Sequence, residues 1–346
     1  MPTVGMLTGG GDAPALNAVI RAAVRRAENG GWKCLGILDG WKGLLDGETM
    51  PLGRANTNDI IAEGGTILGT SRTNPYKKPE DVKKLLATWK KLGLDALIAI
   101  GGDDTLGVAD RLFREHKVKV VGVPKTIDND LSCTDYTFGF DTAVNAAMVA
   151  IDHLITTARS HRRCFVVETM GRHAGWIAAY AGIAGGADIT LVPEKPVDME
   201  QVIAVLKRNR KEGRTYNIVV VSEGITFEPG AYVTVKEGEL DEFGHVRLGG
   251  VGNLVAEVIE KHTGYETRCV VLGHLQRGGP PTAFDRVLAT RLGYAAAELV
   301  VTGQFGKMAA LRGNTIVAAD LAEAVGETKT LDMELFKVAE AFFTVD

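Results

Sequence analysis

Short apolar runs along this chain stop, one after another, at glycines or at clusters of charged and hydroxyl residues. The runs fall at residues 4–8, 33–38, 96–100, 119–123, 164–168, 217–222 and 269–272. Between them lie amphipathic stretches at residues 15–28, 106–114, 142–158 and 284–301, each long enough to be a helix. Strands alternating with helices predict an α/β fold with mostly parallel sheets and helices on both faces. In open sheets of this kind ligands bind beyond the carboxyl ends of the strands. The polar motifs at the strand ends, although far apart in sequence, are therefore expected to converge.

At 346 residues the chain is long enough for two lobes of roughly 150 residues each. The expected division is residues 1–140 with 276–326 for one lobe and 141–275 for the other. Residues 327–346 would form a C-terminal docking helix, with Leu335, Val338, Ala339 and Phe342 as its apolar face. Residues 226–252 are charged and Gly-rich and read as an exposed hairpin excursion. Basic and acidic side chains nearly balance, 39 against 43, so no basic surface for nucleic acid is expected. The uncharged Gly/Ala-rich stretch at 174–187 is too short to span a bilayer. The N-terminus lacks a charged segment followed by an apolar one, so a cytoplasmic protein is expected. Cys34, Cys133, Cys164 and Cys269 form no CxxC pair and read as reduced thiols.

Four turns carry the chemistry. Thr8-Gly9-Gly10-Gly11-Asp12 follows a strand and precedes a helix, a setting in which main-chain N–H groups and the helix dipole suit a phosphate. It is neither a Walker A loop nor a dinucleotide fingerprint, and taken alone it reads equally as a tight packing turn. Gly101-Gly102-Asp103-Asp104-Thr105 places two carboxylates side by side. These repel unless a cation or donor is near, and a magnesium–phosphate complex would supply both; capping aspartates on a solvated loop are the ordinary alternative. Pro124-Lys125-Thr126-Ile127-Asp128-Asn129-Asp130 combines a lysine, a hydroxyl and carboxylates. Asp128 suits proton abstraction from a substrate hydroxyl, Lys125 suits a transferring phosphoryl group, and Ile127 would pin the loop. Gly273-His274-Leu275-Gln276-Arg277-Gly278-Gly279 sets His274 and Arg277 three apart between glycines. Arg72, Arg163, Arg172 and Arg268 also lie beside strand ends or glycine turns, and arginines there suit a polyanionic substrate. Met170-Gly171-Arg172 and Glu223-Gly224 complete the set.

Together these motifs identify a resemblance. GGGDAPALNAVIR, GTSR, GGDDT, PKTIDND, SHRR, ETMGRHAG, SEG and GHLQRGG occur in the order found in the 6-phosphofructokinases, and the similarity covers residues 4–320. It implies transfer of a phosphoryl group to O1 of fructose 6-phosphate with Mg²⁺ as cofactor. By resemblance, Asp128 is the base. Thr126, Ile127, Asp128, Met170, Gly171, Arg172 and Glu223 contact the sugar phosphate, and His274 and Arg277 hold its 6-phosphate. Arg163 and Arg268 match arginines that reach into a neighbouring subunit's site, which implies a homodimer or homotetramer. Asp103 organises the metal; Gly11, Arg72 and Lys125 hold the donor.

The donor turns on two positions. ATP-using members of the family typically have glycine where Asp104 and Lys125 stand, so the chain resembles the pyrophosphate-dependent branch. A carboxylate about 4 Å from an additional phosphate costs about 4 kcal/mol at an effective dielectric of about 20. Pyrophosphate has no third phosphate to meet it. An ATP-dependent phosphofructokinase, a nucleotide kinase sharing the GGDG-type turn, and a catalytically silent metabolite sensor are the rival readings. Trp41 stands near where a donor-site tyrosine is common. Arg21 and Arg25 match effector-binding positions, but Ile155 replaces an expected arginine. Ala15 stands where glycine is frequent.

Overall fold

Why the apolar runs must be buried follows from their partners: a strand paired in parallel needs a crossover, and the crossover helices cover both faces. The computed structural model of the chain describes residues 1–228 and 250–343. In chain order its elements begin β1 (Thr3–Thr8), α1 (Leu16–Asn29), β2 (Lys33–Ile37), α2 (Trp41–Asp46), β3 (Thr49–Leu52) and α3 (Arg54–Thr57). They continue with α4 (Pro79–Leu92), β4 (Ala96–Gly101), α5 (Asp103–His116), β5 (Val120–Pro124) and α6 (Phe140–His161). Then come β6 (Cys164–Thr169), α7 (Trp176–Ala184), β7 (Ile189–Leu191), α8 (Met199–Lys211), β8 (Asn217–Ser222), α9 (Val251–Thr263) and β9 (Thr267–Val271). The last are α10 (Ala283–Val301), β10 (Lys307–Arg312), β11 (Thr315–Asp320), α11 (Leu321–Ala324) and α12 (Met333–Glu340).

These elements form two units. The first comprises Met1–Ile127, Leu131–Thr142 and Arg277–Thr328; the second comprises Asp128–Asp130, Ala143–Gln276 and Lys329–Asp346. The first unit holds a seven-stranded sheet in the order β11-β10-β5-β4-β1-β2-β3. Its inner strands are parallel, and β3 and β11 close the two edges antiparallel to β2 and β10. Every residue of β4 and β5 is buried, as expected of strands covered on both faces. One core layer packs Val4, Met6, Ile98 and Val123 against Leu16, Ile20, Leu288 and Leu292 of α1 and α10. The opposite layer packs Leu7, Leu97 and Ala99 against Leu106, Ala109 and Leu112 of α5. The second unit holds a four-stranded parallel sheet, β7-β8-β6-β9, with β6 and β8 wholly buried.

Several expectations need correction. The last parallel strand runs over Thr267–Val271 rather than 269–272, because Thr267 takes the register opposite Cys164. The C-terminal helix keeps Ala339 of the expected face buried but otherwise packs through other residues. Phe336, Ala339 and Phe343 are buried, whereas Val338 and Phe342 are exposed. Phe336 in the helix and Phe343 just beyond its end have ring centroids 6.3 Å apart, and both are turned inward. Trp41 is 1% exposed and sits in the core with Leu44, Leu45 and Leu85, while its neighbour Gly40 lies against the first glycine turn, a Cβ there falling 2.8 Å from the Thr8 carbonyl oxygen. The hairpin expected within residues 226–252 lies mostly outside the described residues.

Candidate active site

In the first unit the chemistry-bearing turns meet at the carboxyl ends of the central strands. Gly9 N–H donates to the Ile100 carbonyl at 3.0 Å, and Gly10 N–H donates to the Ser71 carbonyl at 3.0 Å. Thr70 Oγ1 donates back to the Gly10 carbonyl at 2.7 Å. The first glycine turn is thus held between the GTSR segment and the end of β4. Thr105 lies directly beneath it: a Cβ on Gly9 would sit 2.6 Å from Thr105 Oγ1, closer than side-chain atoms pack. Glycine is required there by close approach.

Lys125 brings a positive charge into the same turn. Its backbone N–H donates to the Gly101 carbonyl at 3.0 Å, which fixes the residue at the end of β5. Its side chain is 3% exposed, and the ammonium donates to the Gly11 carbonyl. Arg277 reaches the turn from the chain segment after β9. Its Nη1 donates to the Asp12 carbonyl at 2.8 Å, and a Cβ on Gly11 would lie 2.7 Å from it. Arg277, expected at the sugar's 6-phosphate, therefore packs against the turn expected to hold the donor. Arg72 is exposed beside the turn.

Asp103 and Asp104 form the first turn of α5, where the helix dipole favours carboxylates. Asp103 is exposed and Asp104 half-buried. Both line a cavity of about 330 Å³ whose other walls include Asn74, Tyr76, Val108 and Arg111. The Arg111 guanidinium stacks on the Tyr76 ring, 3.6 Å from its centroid, a cation–π contact. Nothing in the sequence pattern marked Tyr76 or Arg111, because their juxtaposition joins two elements.

In the second unit Met170-Gly171-Arg172 leaves β6 and Glu223 leaves β8. Glu223 Oε1 accepts from Gly171 N–H at 3.3 Å and Arg172 N–H at 3.1 Å. Burial pushes the Glu223 carboxyl above its usual range, nearby Asp128 adds to the rise, and the two N–H donors oppose it. Arg172 has φ 52°, an uncommon conformation for a non-glycine residue, and Glu223 is what holds its amide there. Asp128 is 4% exposed. The Glu168 side chain, missed in the sequence reading, accepts from Gly250 and Gly252 N–H at 2.8 and 2.7 Å, anchoring the start of α9 to the end of β6. Arg163 and Arg268 converge on Glu266, at 2.7 and 2.6 Å, and Arg163 chiefly lowers that carboxyl. His274 is exposed in the short turn Gly273–Gln276.

Two features of the family comparison find a local account. Ala15 adopts φ 73° at the start of α1, which is why glycine is frequent there. Arg21 and Arg25 donate to the Asn58 carbonyl and side chain at 3.0 and 2.8 Å.

Residues 3–300 match the phosphofructokinase family. The chain belongs to that family. It is 58% identical, over 98% of this chain and 99% of the other, to a protein of Amycolatopsis methanolica named pyrophosphate–fructose 6-phosphate 1-phosphotransferase. It is 48% identical, with the same coverage, to a protein of Mycobacterium tuberculosis named ATP-dependent 6-phosphofructokinase. A crystal structure of a pyrophosphate-dependent phosphofructokinase from Nitrosospira multiformis is similar with a TM-score of 0.84. That likeness covers 99% of this chain and 92% of the other at 22% identity, and it bears on the fold alone. The α/β architecture with mostly parallel sheets is thus that of phosphofructokinases, and the chain is a phosphotransferase of the glycolytic kind. No helix among the described residues is long and apolar enough to cross a membrane.

Proposed function

We propose that this phosphofructokinase transfers a phosphoryl group reversibly between pyrophosphate and O1 of fructose 6-phosphate, giving fructose 1,6-bisphosphate and phosphate. The observation that carries this reading is the place of the Lys125 ammonium. It lies in the first glycine turn, bonded to the Gly11 carbonyl, with Asp103 and Asp104 opening α5 from the end of the neighbouring strand. A buried cation suits the concentrated charge of pyrophosphate, and the Asp104 carboxylate disfavours a third phosphate.

In the proposed reaction O1 attacks the phosphorus in line, Asp128 takes the hydroxyl proton, and the bond to the bridging oxygen breaks. Lys125 and Arg72 stabilise the charge that gathers on the departing phosphate. Gly11 supplies the close backbone approach. Thr126, Ile127, Met170, Gly171, Arg172 and Glu223 shape the sugar site, and His274, Arg277, Arg163 and Arg268 supply cationic and hydrogen-bonding groups for its phosphate. The last two would serve a neighbouring copy's site in a homodimer or homotetramer. Among the described residues no group of three or more His, Cys, Asp or Glu side chains is arranged to hold a metal. An exposed Asp103 beside phosphate oxygens fits Mg²⁺, which is usually held by one or two carboxylates together with substrate. Bound there, Mg²⁺ would neutralise charge on the donor oxygens.

A second reading, ATP as donor, is favoured by the cavity beside Asp104 and by the mycobacterial relative's name. Steady-state turnover with pyrophosphate and with ATP, at saturating fructose 6-phosphate and Mg²⁺, separates the two. The expected result is a kcat/KM for pyrophosphate at least about a hundredfold above that for ATP, as a charge penalty of a few kcal/mol implies. Equal or greater use of ATP would overturn the donor assignment.

A further inference from the structure

We infer that Lys329, in the chain segment leading to α12, is a positioning residue for the loop that carries Asp128. The inference rests on the reading of Asp128 as the base, and every group in it belongs to the second unit. Lys329 grips the two residues after Asp128 in two ways. Its backbone N–H donates to the Asp130 carbonyl at 2.8 Å, and its ammonium donates to Asn129 Oδ1 at 3.1 Å. Asn129 is 1% exposed and has φ 53°. A non-glycine residue keeps that conformation only where its surroundings hold it, and asparagine tolerates it best. The backbone of Asn129 aims the Asp128 side chain, so whatever holds Asn129 holds the carboxylate.

Lys329 is itself fixed. Trp176 Nε1 donates to the Lys329 carbonyl at 3.1 Å, and the ammonium stands 5.3 Å from the centroid of the Trp176 ring. Two residues on, Leu331 N–H donates to Glu194 Oε1 at 2.8 Å, and Glu194 also accepts from Gly175 N–H at 3.0 Å. Trp176 opens α7, four residues after Arg172 of the sugar-site turn. One lysine from the C-terminal segment therefore links the base loop to the element that follows the MGR turn. A base must lie within hydrogen-bond reach of its proton, and a misplacement of about 1 Å costs on the order of 10²-fold in rate. Lys329 thus acts on kcat through Asp128 without touching substrate.

The test is a set of variants of the full chain. Lys329→Met keeps the side-chain length and the backbone N–H but removes the ammonium. It is expected to lower kcat about 10- to 100-fold while KM for pyrophosphate and fructose 6-phosphate changes less than about threefold. Lys329→Arg should recover most of the rate. In an Asp128→Asn background, Lys329→Met should have less than about a twofold further effect, because residues acting as a unit are not additive. Asn129→Gly removes the acceptor at a position where glycine is at ease, and serves if Lys329→Met fails to fold; it too should lower kcat at nearly constant KM. A kcat within twofold of wild type in the folded variants would overturn the inference. So would a full, independent loss from Lys329→Met in the Asp128→Asn background. If Asp128→Asn alone retains wild-type turnover, the base reading itself fails; if Asp128→Asn is crippled and Lys329→Met is not, only the positioning role does.

Discussion

Replacing Asp104 with asparagine isolates charge from shape. The residue is half-buried in the first turn of α5, and an amide of the same size leaves the cavity walls and the helix start in place. At about 4 Å and an effective dielectric of about 20, a carboxylate and a phosphate charge repel by about 4 kcal/mol. Asp104 has one side toward solvent, so screening takes roughly half of this and leaves about 2 kcal/mol. That is about a 30-fold rise in kcat/KM for ATP, whose third phosphate meets the carboxylate, with less than about a threefold change for pyrophosphate. The loss of a favourable charge at the helix N-terminus lowers stability by about 0.3–1 kcal/mol, too little to confuse the kinetics. The assay is initial velocity against each donor in turn, at fixed free Mg²⁺ and saturating fructose 6-phosphate. If ATP kcat/KM moves less than twofold while the variant stays folded, charge at residue 104 does not select the donor, and the reasoning from repulsion fails.

Asp128→Ser removes the proposed base and should reduce kcat about 10²–10⁴-fold in both directions; initial rates with pyrophosphate and with phosphate check it, and retained turnover in either direction contradicts the assignment. Asp285 is buried between the N-termini of α6 and α10, accepting from Thr142 N–H and Oγ1 at 2.8 and 2.6 Å, and burial raises its carboxyl from 3.8 to about 6. Because the folded state holds that proton more tightly, its contribution is fully present below about pH 4 and is lost as pH rises to about 6, by about 3 kcal/mol. Asp285→Asn should therefore flatten the pH dependence of the unfolding midpoint between those values, and an unchanged slope counts against the shift. Burial pushes the Cys34 and Cys164 thiols up to about 12, so neither is expected to be alkylated by iodoacetamide in the native protein at pH 8; mass spectrometry before and after unfolding reads this directly.

What the sequence made legible follows from how local each signal is. A glycine turn between an apolar run and a helix is written in a few consecutive residues, and the turns at Gly9, Gly101 and Lys125 do lie together. The strands missed have weak local marks. β7 is three residues long, and β10 carries two alanines between charged ends; it pairs with β5, nearly two hundred residues earlier. In the C-terminal segment, packing against its own unit buries Phe336 and Phe343 and leaves Val338 and Phe342 exposed, a choice that spacing alone does not encode. The position of Trp41 near a common donor-site tyrosine is read only from resemblance; its burial depends on Leu85 of α4 and Leu97 and Ala99 of β4, which no local pattern pairs with it. Asn129 held by Lys329 spans two hundred residues, and no periodicity encodes such a pair.

Overall similarity cannot select the donor here. The relatives compared above differ by only ten percentage points of identity, 58% against 48%, yet carry names with different phosphoryl donors. Over a chain of 346 residues, a margin of that size does not say which positions near a phosphate differ. The donor is chosen where its charge is felt, within a few ångströms of the glycine turn. Of the groups named above, the Thr70 hydroxyl, the Ser71 carbonyl and Thr105 build the turn, whereas Lys125 and Asp104 carry charges of opposite sign. A lysine alone would attract both donors. A carboxylate alone would weaken the longer donor without drawing in the shorter one. Only the pair rewards a compact, highly charged anion and penalises a longer one, so the two positions must be changed together to transfer the preference, and changing either singly should lower one donor or raise the other without exchanging them.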